Sequence, residues 1–180
     1  LHQLVNRLKS GEPFQYLIGE VEFYGLELKM DSRALIPRPE TEELVDWICQ
    51  NHKGEISNIL DVCSGSGCIS LALSNTFQEA YVLGLEYSKD AINLAEENAL
   101  ALKLPVRYLE GDVLDLNSFE NSLSEQVGQN GTFDIVVSNP PYIPNHENEE
   151  MESNVLDHEP ALALFVPDED PLLFYRVISE

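Results

Sequence analysis

Basic residues are scarce in this sequence of 180 amino acids: 10 lysines and arginines stand against 32 aspartates and glutamates, and the formal net charge is −22. Binding to nucleic-acid phosphates depends on clustered lysine and arginine side chains, so this charge opposes a nucleic-acid substrate. The same charge is compatible with a basic protein partner, and also with a role in solubility alone. It narrows the class of partner without identifying one.

Cysteine is rare and long apolar runs are absent. Cys49, Cys63 and Cys68 include no C-x-x-C pair, which disfavours both a disulfide framework and a cysteine zinc site. His146 and His158 lie near several glutamates without a clean ligand spacing, so we expect no metal there. No apolar run approaches the ~20 residues of a membrane span, and no signal peptide opens the sequence. We therefore expect a cytoplasmic protein with no membrane contact and no metal.

Apolar residues follow a pattern in which strands alternate with helices. The segment 21–30 alternates apolar and polar residues around Tyr24-Gly25 and predicts a β-hairpin. The predicted strands are 56–62, 80–86, 106–112 and 133–139, and the predicted helices are 37–52, 70–77, 88–104 and one that opens at 171. Such alternation indicates a parallel, doubly wound α/β sheet. We expect a short helix and a loop at 114–131, an acidic loop at 145–154, and Trp47 in the core.

Both ends of the sequence suggest a longer protein. Residues 1–11 predict the end of an amphipathic helix, with Leu1, Leu4, Val5 and Leu8 on one face and Gly11 as the stop. Four parallel strands would make a thin sheet. We expect a chain truncated at both ends, with the end of a helical region and a linker hairpin at 1–35 and an incomplete α/β domain at 36–180.

The stretch LDVCSGSGC, residues 60–68, predicts a strand, a glycine-containing turn and a helix start. Gly65 and Gly67 would allow a tight turn and the close approach of a ligand, and the helix start offers unpaired N–H groups. Glu86 ends the next strand and Asp112 follows the third, so both carboxylates reach the same sheet edge. Ligands bind at that edge in such sheets, and a carboxylate there can hold ribose hydroxyls. This pattern indicates an adenosine ligand.

Competing glycine motifs fit less well. A phosphate-binding loop needs G-K-[ST], a dinucleotide motif needs a third Gly or Ala where Ser70 stands, and a hydrolase elbow needs Gly where Ser64 stands. The loop has no basic residue. An uncharged or cationic adenosine derivative is therefore favoured over a pyrophosphate.

The stretch IVVSNPPYIP, residues 135–144, ends a buried strand in Asn139, Pro140, Pro141 and Tyr142. The prolines bring no N–H, so this turn presents mainly hydrogen-bond acceptors, and it suits an –NH2 group. Tyr142 adds a flat face for stacking. A proline terminator with a packed Tyr is the structural alternative, but the glycine loop at the end of the first strand favours a clamp for a planar amine.

With this glycine loop and this tetrapeptide, the sequence resembles the class I S-adenosylmethionine-dependent methyltransferases. These have a Rossmann-like doubly wound sheet, and those that act on planar amino groups carry an [NDS]-P-P-[YFW] tetrapeptide. More narrowly, it resembles the HemK or PrmC family of protein-glutamine N5-methyltransferases, which modify peptide chain release factors. The stretches that carry the resemblance are GEPFQYLIGEVEFYGLEL, LIPRPETEELV, ILDVCSGSGCISLAL, VSNPPYIP and VLDHEPALAL. It covers most of residues 11–178.

The resemblance implies a role for each matching residue, with S-adenosylmethionine as cofactor and S-adenosylhomocysteine as product. The residues expected around the methionine part of the cofactor are Ser64, Gly65, Ser66 and Gly67. Glu86 is expected at the ribose, with Asp112 and Val113 at the adenine. The residues expected to hold the substrate glutamine are Asn139, Pro140, Pro141 and Tyr142; among them Asn139, Pro140 and Tyr142 are expected to be catalytic, and Asn139 also to border the cofactor.

Two positions depart from the family pattern, and three alternatives stay open. Cys63 stands where the first loop glycine is usual, and Glu86 stands where Asp is commoner. The alternatives are an N-methyltransferase acting on adenine or guanine in nucleic acid, a non-catalytic S-adenosylmethionine-binding scaffold, and an NAD-dependent oxidoreductase. The resemblance favours methyl transfer to a glutamine of a release factor.

Overall fold

A computed structural model describes residues 2–52, 54–115, 123 and 132–179. The helices in this part are α1 His2–Lys9, α2 Phe14–Ile18, α3 Pro39–Asn51, α4 Cys68–Thr76, α5 Lys89–Leu102, α6 Ser153–His158 and α7 Leu173–Ser179. The strands are β1 Glu20–Phe23, β2 Leu26–Lys29, β3 Asn58–Val62, β4 Tyr81–Glu86, β5 Val106–Glu110, β6 Ile135–Ser138, β7 Ile143–Pro144 and β8 Phe165–Val166. Short 3₁₀ helices cover Asn145–Glu150 and Ala161–Ala163.

The central sheet within the described residues is parallel, with strand order β5-β4-β3-β6. Alternate side chains of each strand face opposite sides, and the two inner strands, β3 and β4, are buried on both sides. Ile59 and Val82 pack with α3 and α4 on one side, while Leu60 and Leu83 pack with α7 on the other. Helices on both faces of a parallel sheet confirm the doubly wound α/β prediction.

The hairpin β1–β2 turns at Tyr24-Gly25, as predicted. Both turn residues have positive φ, +48° and +75°, which is typical of two-residue hairpin turns. Phe23 and Leu28 are buried in the same apolar cluster as Val45 of α3. The division into 1–35 and 36–180 stays a prediction.

Helix α5 begins and packs as its sequence indicates. The Ser88 hydroxyl accepts a hydrogen bond from the Ala91 N–H and caps the helix. Ala91, Leu94 and Asn98 lie at helical spacing and are all buried. The Asn98 side chain accepts from the Lys29 N–H at 2.7 Å and donates to the carbonyls of Lys29 and Ser66 at 3.2 and 3.1 Å. One buried amide therefore joins the hairpin to the glycine loop.

Two local predictions are wrong. Trp47 is 59% exposed, because the buried stripe of α3 consists of Thr41, Val45 and Ile48 and successive helical residues point about 100° apart. The predicted acidic loop 145–154 is largely a 3₁₀ helix that enters at Pro144, followed by the start of α6. The Asp168 carboxylate accepts from the His146 N–H at 2.8 Å and so satisfies one of the first-turn N–H groups of this 3₁₀ helix, a contact that no local pattern indicates.

Three further predictions concern helix α1, the segment 114–131 and membrane contact. Helix α1 is present, but its apolar residues Leu4, Val5 and Leu8 are exposed in the structure. The segment predicted at 114–131 lies outside the described residues apart from 114, 115 and 123. Among the described residues, none of the helices has the length and apolar character needed to cross a bilayer.

Candidate active site

A cavity of about 280 Å³ opens at the carboxyl ends of the sheet strands. It forms there because the strands are parallel, so their carboxyl ends meet at one edge. Eight of the predicted site residues line it: Ser64, Gly65, Ser66, Glu86, Asp112, Val113, Asn139 and Pro141. Gly67, Pro140 and Tyr142 are not part of its lining. The structure therefore brings both sequence constellations, the glycine loop and the tetrapeptide, to one cavity.

Glu86 fixes the glycine loop against the end of β4. One carboxylate oxygen accepts from the Gly65 N–H at 2.9 Å, and the other accepts from the Ser88 N–H at 2.8 Å. Each carboxylate oxygen can accept a second hydrogen bond. Glu86 can therefore hold the loop and still receive ligand hydroxyls.

Gly67 is the last residue of the glycine loop, directly before α4, and it does not line the cavity. Its φ is +81°, and a Cβ added there would lie 2.3 Å from the Tyr108 hydroxyl oxygen. Gly65 also has positive φ, +55°, but a Cβ added there would meet nothing within 4 Å. Gly67 thus makes room for Tyr108, whereas Gly65 keeps the cavity wall free of a side chain.

Cys63 has φ +60°, the left-handed conformation that glycine adopts most easily. This conformation explains physically why glycine suits the position. Burial raises the pKa of its thiol to about 12, so the thiol stays protonated and is a poor nucleophile.

We expect Cys63→Gly to be more stable than Cys63→Ala by about 1 kcal/mol, because alanine keeps the left-handed strain and glycine removes it. Thermal or denaturant unfolding measures the difference. The matched control is Cys49 in α3, where the order should reverse because glycine is unfavourable inside a helix. The same order at both positions would contradict the strain at Cys63.

Asp61 is a buried carboxyl in β3 that is not among the site residues predicted from the sequence. Its Oδ2 accepts from the Ser70 N–H at 3.0 Å, in the first turn of α4, while its Oδ1 has no hydrogen-bond partner. The hydroxyls of Ser64 and Ser66 are likewise buried without partners. Unpartnered buried polar atoms at one loop indicate a place for a polar ligand or water. An acid at the end of a strand before a glycine loop was the available signal in the sequence.

Asp61 should make stability fall as pH rises. Burial, opposed by the hydrogen bonds from Ser70, raises the pKa of Asp61 from 3.8 to about 7. Between those pH values the folded protein binds more protons than the unfolded chain, so the parent should lose stability relative to Asp61→Asn as pH rises through this window. Unfolding curves of both proteins at pH 4.5 and 7.5 measure the difference in stability. These pH values lie near the pKa of Asp61 in the unfolded chain, 3.8, and in the folded protein, about 7. A pH-independent difference would contradict the shift.

The tetrapeptide is held by contacts from neighbouring elements. The Ser138 hydroxyl donates to the Val62 carbonyl at 2.6 Å and ties the end of β6 to the end of β3. The Asn139 side-chain nitrogen lies 3.3 Å from the Thr41 hydroxyl oxygen. Pro140 is buried, whereas Tyr142 is 53% exposed.

A second wall of the cavity is anchored by Glu159, whose side chain is only 2% exposed. It accepts from the Arg38 guanidinium at 2.7 Å and from the Ile36 N–H at 3.2 Å. Leu35 and Pro37 line the cavity on one side of this contact, and Pro160 follows Glu159 on the other. The IPRPETE and HEPALAL stretches of the sequence therefore meet here, a pairing that the sequence alone did not indicate.

Arg33 and His146 have acidic partners that limit their roles. Arg33 lines the cavity, but its guanidinium contacts the carboxylates of Asp31 and Glu97 at 2.8 Å each. His146 contacts the Asp168 carboxylate at 2.9 Å. Across the part of the chain that is described, no three His, Cys, Asp or Glu residues are grouped so as to hold a metal ion.

Fold and cavity together define an α/β protein with a cavity at the carboxyl edge of its parallel sheet. Residues 40–159 match the sequence profile of the family described as "Methyltransferase small domain". The chain therefore belongs to the methyltransferase small domain family.

Curated relatives carry a narrower name. The chain is 42% identical to "Release factor glutamine methyltransferase" of Flavobacterium psychrophilum over 97% of its length, and 42% identical to the protein of that name from Bacteroides thetaiotaomicron over 100% of its length. It spans 59% and 61% of those relatives. The resemblance inferred from the motifs is confirmed.

Solved structures agree on the fold. A "SAM Dependent Methyltransferase" from Agrobacterium tumefaciens superposes with a TM-score of 0.52 at 22% identity, covering 68% of this chain and 39% of that one. This likeness supports the fold alone.

Proposed function

We propose that the protein transfers a methyl group from S-adenosylmethionine to the side-chain amide nitrogen of a glutamine in a peptide chain release factor. The main support for this proposal is that Asn139 and Pro141 line the same cavity as the Ser64–Ser66 loop. The relatives named above supply the substrate class. A substrate that acts in translation implies work in the cytoplasm.

The cavity suits the proposed cofactor. Ser64, Gly65 and Ser66 line the cavity and would surround the cofactor's methionine part. Glu86 would accept from the ribose hydroxyls, and Asp112 and Val113 would border the adenine. Gly67 would act indirectly, by allowing the loop its shape. When bound, the cofactor supplies an activated methyl group on a sulfonium.

The tetrapeptide would orient the nucleophile. An amide nitrogen reacts poorly because its lone pair is delocalised into the carbonyl. The Asn139 side-chain oxygen and the Pro140 carbonyl would accept the two amide hydrogens and direct the nitrogen into the cavity. These acceptors would also stabilise the positive charge that develops on the nitrogen, which would then lose one proton to solvent to give the methylated amide. Such orientation can supply on the order of 7–11 kcal/mol in favourable cases.

Pro141 and Tyr142 would complete the substrate side. Pro141 is buried and lines the cavity, so it would shape the space beside the amide. Tyr142 is exposed, so its ring is accessible for stacking on a planar substrate group.

A direct test incubates the protein at its full natural length with labelled S-adenosylmethionine and, in separate tubes, a release factor and a pool of nucleic acid. We expect label in the release factor alone. Label in nucleic acid alone would show that the substrate is a nucleic acid and not a release factor. The role of Asn139 and its neighbours in holding a planar amine would still stand. Cofactor binding without transfer to either would favour the non-catalytic scaffold.

A further inference from the structure

The orientation of the Asn139 amide matters because its two ends have opposite hydrogen-bonding character. The oxygen accepts hydrogen bonds, and the –NH2 group donates them. A substrate –NH2 group can bond to the oxygen but not to the nitrogen. A clamp built on Asn139 therefore works only if something keeps the side-chain nitrogen away from the substrate.

Thr41 is placed to do this. Its hydroxyl oxygen lies 3.3 Å from the Asn139 side-chain nitrogen and accepts from it, and in this arrangement Oδ1 is the end left for a ligand. Thr41 is only 6% exposed, and it lines the same cavity as Asn139. The two residues are 98 positions apart in the sequence, so this contact is made by the fold.

Thr41 is itself held by its surroundings. It lies in the first turn of α3, where its N–H donates to the Arg38 carbonyl at 3.0 Å. Arg38 is paired with the buried Glu159, which also accepts from the Ile36 N–H. A threonine in a helix has two favoured side-chain rotamers, and the buried Thr41 occupies the one that brings its hydroxyl to Asn139. The start of α3 thus presents a fixed acceptor to Asn139.

We propose that Thr41 is a positioning residue that fixes the Asn139 amide with its oxygen toward the substrate. This inference rests on the proposed function, because it assigns Thr41 a task in the clamp. Thr41 does not touch the reacting atoms, and it acts through Asn139.

The test compares Thr41→Val, which keeps the shape and removes the acceptor, with Thr41→Ser, which restores the hydroxyl. The matched control is Thr76→Val, which removes a hydroxyl that donates to the Ala72 carbonyl at the end of α4. We expect Thr41→Val to lower kcat about tenfold, the scale of one lost hydrogen bond in the transition state, with the affinity for S-adenosylhomocysteine unchanged. Thr41→Ser and Thr76→Val should stay near the parent.

Adding Thr41→Val to Asn139→Ala separates positioning from general damage. If Thr41 acts through Asn139, the second substitution has almost no further effect on kcat. An equal loss in both backgrounds, parent kcat in Thr41→Val, or a Thr41→Ser variant as slow as Thr41→Val would each overturn the proposal.

A second readout does not depend on the proposed function. Side-chain –NH2 resonances of isotope-labelled protein, with Asn139 assigned by their loss in Asn139→Ala, should show a restrained amide in the parent and Thr41→Ser and a mobile one in Thr41→Val. Equal mobility in all three would overturn the positioning role. A parent that methylates no release factor but shows this pattern would refute the proposed function and leave the contact with Thr41 established.

Discussion

Replacing Asn139 by alanine is expected to lower kcat for methyl transfer by about 10²–10³-fold, the cost seen when one preorganised polar group of a reacting site is removed. The Asn139 side chain lines the cavity beside the glycine loop and would accept a hydrogen of the substrate amide. Alanine leaves that hydrogen without a partner and the nitrogen without a fixed direction. Steady-state kinetics with a release factor as substrate measure the loss.

The effect should fall mainly on turnover. Calorimetric titration with S-adenosylhomocysteine should show a far smaller loss of affinity than of turnover in Asn139→Ala, because the glycine loop and Glu86 remain intact. Asn148→Ala, at an exposed asparagine of the following 3₁₀ helix, is the matched control and should behave as the parent. Equal kcat in Asn139→Ala and the parent would contradict the assigned role.

Replacing Gly67 by alanine should destabilise the protein far more than replacing Gly65. Both glycines have positive φ, so each alanine costs about 1–2 kcal/mol. Only at Gly67 does the added methyl overlap a neighbour, at 2.3 Å from the Tyr108 hydroxyl oxygen, and such overpacking costs typically a further 1–3 kcal/mol. Denaturant unfolding should therefore give losses of about 2–5 kcal/mol for Gly67→Ala and about 1–2 kcal/mol for Gly65→Ala.

Cofactor binding should be weakened more by Gly65→Ala than stability is, the reverse of the order expected for Gly67→Ala. The methyl of Gly65→Ala enters the cavity wall, so this variant should lose affinity for S-adenosylhomocysteine while it remains folded. Adding Tyr108→Phe to Gly67→Ala removes the closest overlapping atom and should recover part of the stability. Equal stability of the two alanine variants would show that the overlap at Gly67 is unimportant.

The sheet and the convergence of its ends could be predicted because they depend on local patterns. Apolar runs, the Ser88 cap and the Tyr24-Gly25 turn are each encoded within a few residues. Parallel strands then place their carboxyl ends together whatever the intervening sequence. Glu86 and Asn139, both at strand ends, could therefore be assigned to one site before any contact was known.

The contacts that hold the site could not be predicted in this way. Ile36 and Glu159 are 123 positions apart, and no local pattern indicates that they meet. Trp47 illustrates a different limit: it lies close to Val45 and Ile48 in sequence, yet the helical turn directs it to solvent. The pairing of Thr41 with Asn139 likewise depends on how α3 packs against the sheet end.

Mass spectrometry of a release factor after incubation with the full-length protein and S-adenosylmethionine tests the central claim most directly. The account predicts one added methyl group on the side-chain nitrogen of a glutamine. It also predicts no methylation of a release-factor variant in which that glutamine is replaced by glutamate. A methyl group on lysine or arginine, or unchanged methylation of the glutamate variant, would contradict a clamp built for a planar amide.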